Sequence, residues 1–328
     1  MYIIIIFLKV LMLTCIAACA NLSAERPSWL DDPNSVYPQA EYLSASGSAD
    51  TAEKAKDRAM ANTAKIFSVT ISSASRDVLQ VQQNTDINNK TESVERSAQM
   101  FTNSIAAQTM EGVNIAREWR DPKTQEYYAL AIISRAQAAN KLRAALRGID
   151  EALEDLARRA NASAQPLEKA RLYNAMLKLM PDREALQEKM RIVNLQGLAY
   201  PAEYTVNALE NQRRLALEQV VVSIAVTEAA MAYKSNLEAG LNALGVKLAP
   251  TAALQVSLDI KMEPITQKDG WYWLRGEVVL SLNENAVTIN RIAEPFKVPA
   301  TTKEEAMVRG LRKADEVISL RLNEVLLN

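Results

Sequence analysis

The sequence predicts an α+β protein made of two small α+β domains, in which helices pack on antiparallel-rich sheets, joined by a helical segment. Three observations predict it. Between residues 42 and 133, and again between 219 and 300, the apolar residues switch between a period of two and one near 3.6. Between these regions, residues 135–216 carry Leu and Ala at spacings of three and four among many charges. Turn signals join neighbouring strand patterns: Asp121-Pro122 in the first region and Asp269-Gly270 in the second. A chain of 328 residues, 48% hydrophobic and 23% charged, has the length and composition for two globular domains.

Before these domains comes an apolar stretch that contains the only two cysteines, Cys15 and Cys19. A redox pair wants two intervening residues inside a folded domain, and these have three inside a nearly continuous apolar run. A metal site wants further soft or borderline ligands, which a chain with no histidine and no third cysteine does not supply. The run Ile16-Ala17-Ala18-Cys19 closes the apolar stretch Val10–Leu13 with small residues. It resembles a bacterial lipobox, in which the cysteine thiol takes a diacylglycerol and the signal peptidase cuts just before it. Cys15 fits less well, because Thr14 precedes it and little apolar sequence separates it from Lys9. The alternatives are an ordinary secretory signal cut at an Ala-x-Ala-like site and a membrane anchor, which Lys9 and the shortness of the run argue against. Residues 1–18 therefore read as a lipoprotein signal peptide and 19–28 as a lipidated tether.

The first domain, 29–134, reads as strand, helix, long strand, helix and hairpin. "EYLSASG" is a short extended piece, and Gly47 reads as part of an ordinary strand-to-helix turn. Asp50 and Glu53 read as a capping pair for a helix whose Ala52, Ala55, Ala59 and Ile66 face a sheet closely. From Phe67 a period of two predicts a strand, then "QNTDINNKTES" reads as a loop, and residues 113–133 as the hairpin. In the helical segment 135–216, Pro166 and Pro181 are expected to break the run. This segment is either a solvated connector or a partner-binding coil.

The second domain, 217–328, opens with the buried-looking strand "QVVVSIAV". A helix with Tyr233, Leu237, Leu241 and Leu244 on one face stops at Gly245. "ALQVSLDIKME" alternates as a strand and turns at "QKDG" into "WYWLRGEVVLSLNE", with "AVTINRIAEPFKV" as a further strand. A last helix opens at Thr302 and Glu305 and carries Met307, Leu311, Ala314, Ile318, Leu322 and Val325 inward.

Composition also excludes chemistry. Without histidine there is no Ser-His-Asp or Cys-His arrangement, and the acidic residues of "EALEDLA" and "KEEA" read as solvated helix faces. Only nine glycines are present and none forms a phosphate-binding loop. "DINNKTES" lacks the glycine and terminal glutamate of a calcium loop. A net charge of −1 with no basic block excludes a nucleic-acid partner. No catalytic residue, metal ligand or cofactor is assigned, and the chain is expected not to be an enzyme.

The aromatic run Trp271-Tyr272-Trp273 is the candidate contact feature. In a strand, Tyr272 joins Leu274, Val278, Leu280 and Leu282 on the core side, while Trp271 and Trp273 share the other face. They are either a partner-contact surface or packing beneath another element.

The stretches "RPSWL", "YLSASGSADTAEKAKDRAMANTAKIFSVTISS" and "EYYALAIISRAQA", behind the lipobox, resemble the Lpp-twenty family of bacterial surface lipoproteins over residues 27–145. The resemblance implies an outer-membrane lipoprotein without known catalysis, some relatives of which act in assembling envelope or flagellar structures. The second domain's element order looks like the small α+β module of the TolB amino-terminal domain and of lipoproteins that activate peptidoglycan synthases. Two functions follow as expectations: a periplasmic scaffold or assembly factor, or a regulator that binds a peptidoglycan synthase. The expected partners are the lipid bilayer, through lipidated Cys19, and envelope or appendage proteins. A homo-oligomer is also compatible with the sequence. The folded domains are expected to face the periplasm.

Overall fold

The fold is α+β, and the computed structural model describes residues 25–66 and 112–328. The signal segment, Cys15, Cys19, the strand expected from Phe67 and the polar stretch 83–93 lie outside the described residues. Contacts divide the chain into two compact units, Met1–Arg147 with Asp182–Pro201, and Gly148–Pro181 with Ala202–Asn328. Both long helices of the middle segment contribute to each unit.

In the first unit, β1 (Tyr42–Ala49), β2 (Asn114–Arg120) and β3 (Tyr127–Ser134) form an antiparallel sheet in the order β1-β3-β2. Helix α1, covering 52–66, lies on it. The contact is made of small residues: Ala49, Ala55, Ala59, Ala129 and Ala131 are buried together. Gly47 belongs to β1 rather than to a turn, because α1 sits directly over it. A Cβ at Gly47 would overlap Ala59 N and stand 2.7 Å from Ala55 O and 2.8 Å from Arg58 C, all backbone atoms. The helix is capped by Thr51, whose Oγ1 accepts from Lys54 N at 3.4 Å. Asp50, expected as the cap, instead takes the Lys54 ammonium at 3.0 Å, and that bond lowers its pKa. The β2–β3 turn is closed as expected by Asp121, whose Oδ1 accepts from Lys123 N at 2.7 Å and Thr124 N at 3.3 Å.

Strand β3 runs straight into α2 (Arg135–Ala162), which is followed by α3 (Pro166–Val193). Pro166 opens α3, where its missing N–H costs nothing. Pro181 was expected to end a helix, yet α3 continues through it. Burial on both sides supplies the reason: Met176 and Met180 pack with Leu153 in the second unit, and Ala185, Met190 and Val193 with Leu146 in the first. Anchored turns on either side hold the helix across the bond that Pro181 cannot make.

Arg135 is 9% exposed and ties the first unit together. Its Nε donates to Gln39 O at 2.8 Å, and its Nη1 donates to Ile192 O at 2.8 Å and Val193 O at 2.9 Å. The last two are terminal carbonyls of α3, which have no acceptor role left within the helix and attract a cation.

The second unit holds α4 (Val206–Leu217), β4 (Val221–Val226), α5 (Lys234–Ala243), β5 (Lys247–Leu248), β6 (Leu254–Met262), β7 (Thr266–Lys268), β8 (Trp271–Glu284), β9 (Val287–Ala300) and α6 (Lys303–Leu327). The sheet order is β5-β4-β6-β8-β7, with β9 on the other side of β8. β4 is parallel to its neighbours and the remaining pairs are antiparallel. Asp269 and Gly270, at φ 53° and 81°, make the predicted tight turn, and Asn285 and Ala286, at 49° and 67°, make a second one between β8 and β9. Helices α5 and α6 cover one face, where Leu237, Leu241, Val256, Leu258, Val278, Leu280, Leu282, Ile318 and Leu322 are buried.

Thr302 caps α6 as predicted, its Oγ1 accepting from Glu305 N at 3.1 Å. The inward face of its first turns differs from the expectation. Met307 and Leu311 are 41% and 40% exposed, while Ala306 and Gly310 are buried. A Cβ on Gly310 would collide with the Leu274 side chain, so close approach to β8 selects the smallest residues rather than the largest apolar ones.

Two stability outcomes follow. Gly47→Ala should push α1 off β1 and lower stability by about 3 kcal/mol or more, read as a fall in the urea midpoint. Arg135→Met keeps the apolar stem but leaves the Gln39, Ile192 and Val193 carbonyls without their donor. It should cost about 3 kcal/mol, with Arg135→Lys recovering only part of the loss. A midpoint unchanged by Arg135→Met would show that water replaces the guanidinium there.

Candidate functional site

The outer face of the second sheet is the side away from α5 and α6. Alternation along β8 sends Tyr272 and Leu274 toward that helix layer, where both pack with Ala300 and Ala306. Trp271 and Trp273 consequently point outward with Arg275 and Glu277. The tight Asp269-Gly270 turn fixes their cross-strand neighbours, pairing Trp271 with Lys268 and Trp273 with Thr266. On the other side of β8, Trp273 pairs with Pro299 and Arg275 with Lys297.

Trp271 is 46% exposed, whereas Trp273 is half-buried. Lys297 explains the difference in part: its Nζ lies 4.0 Å from the centre of the Trp273 ring, over its face. A cation in that position is drawn by the ring quadrupole and covers part of the indole face. Arg275, one pleat along, faces Glu263 at 3.9 Å. The result is an aromatic and cationic platform on a strand pair, with one indole open to a partner. Lys297 escaped the sequence reading, since a lysine in an edge strand carries no signal until the register brings it beside Trp273.

Elsewhere the shifted titratable groups have ordinary structural causes. The Glu305 carboxylate is held below the usual range by the Thr301 hydroxyl and amide. Burial pushes the Tyr233 phenol up, and its hydroxyl donates to Leu311 O at 3.1 Å. Burial pushes the Lys189 ammonium down. Among the described residues, no three His, Cys, Asp or Glu side chains are grouped to hold a metal ion. No helix among them is long and apolar enough to cross a membrane.

Two clefts lie among the described residues of the first unit. One, of about 490 Å³, lies between the start of α2 and residues 194–201, and its Arg135 is committed to carbonyls. The other, of about 520 Å³, is polar and lies along β1.

Comparison with curated proteins found no match. Among solved structures, the chain is similar to a secreted protein of Helicobacter pylori, with 14% identity over 85% of this chain and 97% of that one and a TM-score of 0.43. It is similar also to a minor lipoprotein of Acinetobacter baumannii, with 15% identity, coverage of 32% and 87%, and a TM-score of 0.25. A third likeness is to the rare lipoprotein B of Shewanella oneidensis, with 13% identity, coverage of 32% and 90%, and a TM-score of 0.22. Superpositions of this quality do not define a shared fold, and none of them bears on the TolB-like reading of the second domain. The family comparison is more specific: residues 27–134 match the model of the LPP20 lipoproteins, so the first-domain resemblance is shown and lipoprotein character is supported.

Proposed function

We propose that this chain is a non-enzymatic outer-membrane lipoprotein, held by acyl chains on Cys19, that serves as a periplasmic scaffold or assembly factor for envelope or flagellar structures. The observation that carries the reading is the position of the LPP20 match, which begins at residue 27 directly behind Ile16-Ala17-Ala18-Cys19. Ala20 follows the cysteine, where an aspartate would favour retention in the inner membrane. Each buried methylene of an acyl chain contributes roughly 0.8 kcal/mol, so the several chains of a lipoprotein make a stable anchor.

Cys19→Ser should abolish acylation and release the protein from the membrane fraction, while Cys15→Ser should leave both unchanged. Mass spectrometry of the mature amino terminus reads the outcome directly. An unmodified terminus beyond Cys19 would be incompatible with the anchor.

A second reading, a regulator that binds a peptidoglycan synthase, is favoured by the open indole of Trp271 beside the Trp273–Lys297 pair. Changing Trp271 and Trp273 together to Ala should weaken partner capture by about 2 kcal/mol, the scale of a central aromatic anchor. Crosslinking the full chain in intact cells identifies the partner. A synthase as main product supports the regulator, and an appendage component supports assembly. If the tryptophans serve packing instead, the double change lowers the melting temperature steeply and leaves partner capture intact in the folded fraction.

A further inference from the structure

The polar cleft along β1 is lined by Arg26, Arg58 and Lys65 together with Ser46, Ser48 and Asn62. Its construction follows from the sequence. Arg58, Asn62 and Lys65 are spaced by four and three residues, which puts them in one stripe along α1. The close seat of α1 on Gly47 brings that stripe against β1, the edge strand of its sheet. There Asn62 Nδ2 donates to Ser46 O at 2.9 Å and Arg58 Nη1 donates to Ser48 O at 2.5 Å. These two carbonyls point away from β3. In an antiparallel strand a residue's N–H and C=O lie on the same side, so the Ser46 and Ser48 amides also face this free edge.

Three cations therefore line one opening, and among the described residues of its wall there is no carboxylate. Arg26 is partly offset by Asp31, 2.9 Å away, and Tyr128 on the wall donates to Glu126 Oε2 at 3.0 Å. Lys65 is exposed, and its ammonium has no ion pair or hydrogen bond among the described residues. A guanidinium, an ammonium and two strand amides around one space match a tetrahedral oxyanion with several acceptor oxygens.

We infer that this cleft binds a phosphate group, either the headgroup of an anionic phospholipid or a free phosphate. The lipid source rests on the anchor proposed above: Arg26 lies seven positions after Cys19, and seven extended residue steps reach about 25 Å at most, which keeps the cleft within range of headgroups. The phosphate chemistry of the cleft itself does not depend on acylation.

The test is calorimetric titration of the full chain in neutral detergent with three soluble probes: inorganic phosphate, glycerophosphoglycerol and glycerophosphocholine. Saturable binding of glycerophosphoglycerol over glycerophosphocholine is expected, weakening as salt is raised. Lys65→Glu, at an exposed side chain without a partner among the described residues, should lower affinity about tenfold or more, the scale of one charge-assisted hydrogen bond, with an unchanged melt. Arg58→Gln should do the same, and Lys169→Glu, on α3 outside this cleft, should not. Binding of inorganic phosphate alone, sensitive to Lys65→Glu, supports the site and assigns it free phosphate. Absence of binding by all probes, or binding that Lys65→Glu leaves unchanged, overturns the inference. Neither result touches the anchor, which the mass of the amino terminus decides separately.

Discussion

Both units depend on closing a helix end inside the protein. The last carbonyls of a helix have no donor of their own, and burying them bare costs about 1–3 kcal/mol each. In the first unit the end of α3 is closed by Arg135, which stands where β3 becomes α2 and whose backbone N–H also donates to Glu41 O at 2.9 Å. One residue thus fixes the exit of the sheet, the entry of a helix and the end of another. In the second unit the end of α6 is closed from several sides. Arg171 Nε donates to Leu326 O at 2.9 Å, Asn174 to Leu327 O at 3.3 Å, and Asn290 to Val325 O at 2.9 Å. Lys178 adds a bond to the Asn328 side chain at 2.6 Å. The cationic members also complement the negative end of the helix dipole. Residues of the middle segment are therefore structural parts of both units.

Small residues set the second constraint. Over Gly47 the backbone of α1 lies at contact distance from a strand, and over Gly310 and Ala306 the helix α6 admits Leu274. Gly240 on α5 likewise makes room for Leu322 on α6, whose Cδ2 lies 2.7 Å from where a Cβ would stand. At Gly47 a methyl group would force backbone to move, whereas at Gly310 and Gly240 it would displace the ends of the Leu274 and Leu322 side chains, which are themselves buried.

This contrast explains what was legible in the sequence. Strands β4, β6, β8 and β9, the Asp121 and Asp269-Gly270 turns and the Thr302 cap were readable because each rests on local chemistry. The inward set of α6 was misread at Met307 and Leu311, since hydrophobicity ranks them above Ala306 and Gly310 and only the three-dimensional approach reverses the order. Pro181 inside α3 was misread for a similar reason, tertiary packing overriding a local breaker. The face of Trp271 and Trp273 followed from alternation, whereas Lys297 needed the β8–β9 register to reach Trp273. The stripe of Arg58 and Lys65 went unread in the sequence, because only the seat of α1 on Gly47 turns it into the wall of a cleft.

The strand edges narrow how a partner can bind. An open edge invites pairing with another extended chain, and proteins blunt such edges with short strands, bulges, proline or charge. β5 has two residues and β7 three. β2 is broken by a register shift between Ile115 and Arg117. The long edge strand β9 carries Pro295 and Pro299, each of which removes an outward donor. On β1 the Ser46 and Ser48 carbonyls are already taken by Asn62 and Arg58. Strand addition is thereby disfavoured along every edge described. Recognition is left to side chains, where an indole beside a lysine on a sheet face and a cation-lined cleft at the β1 edge offer two different chemistries.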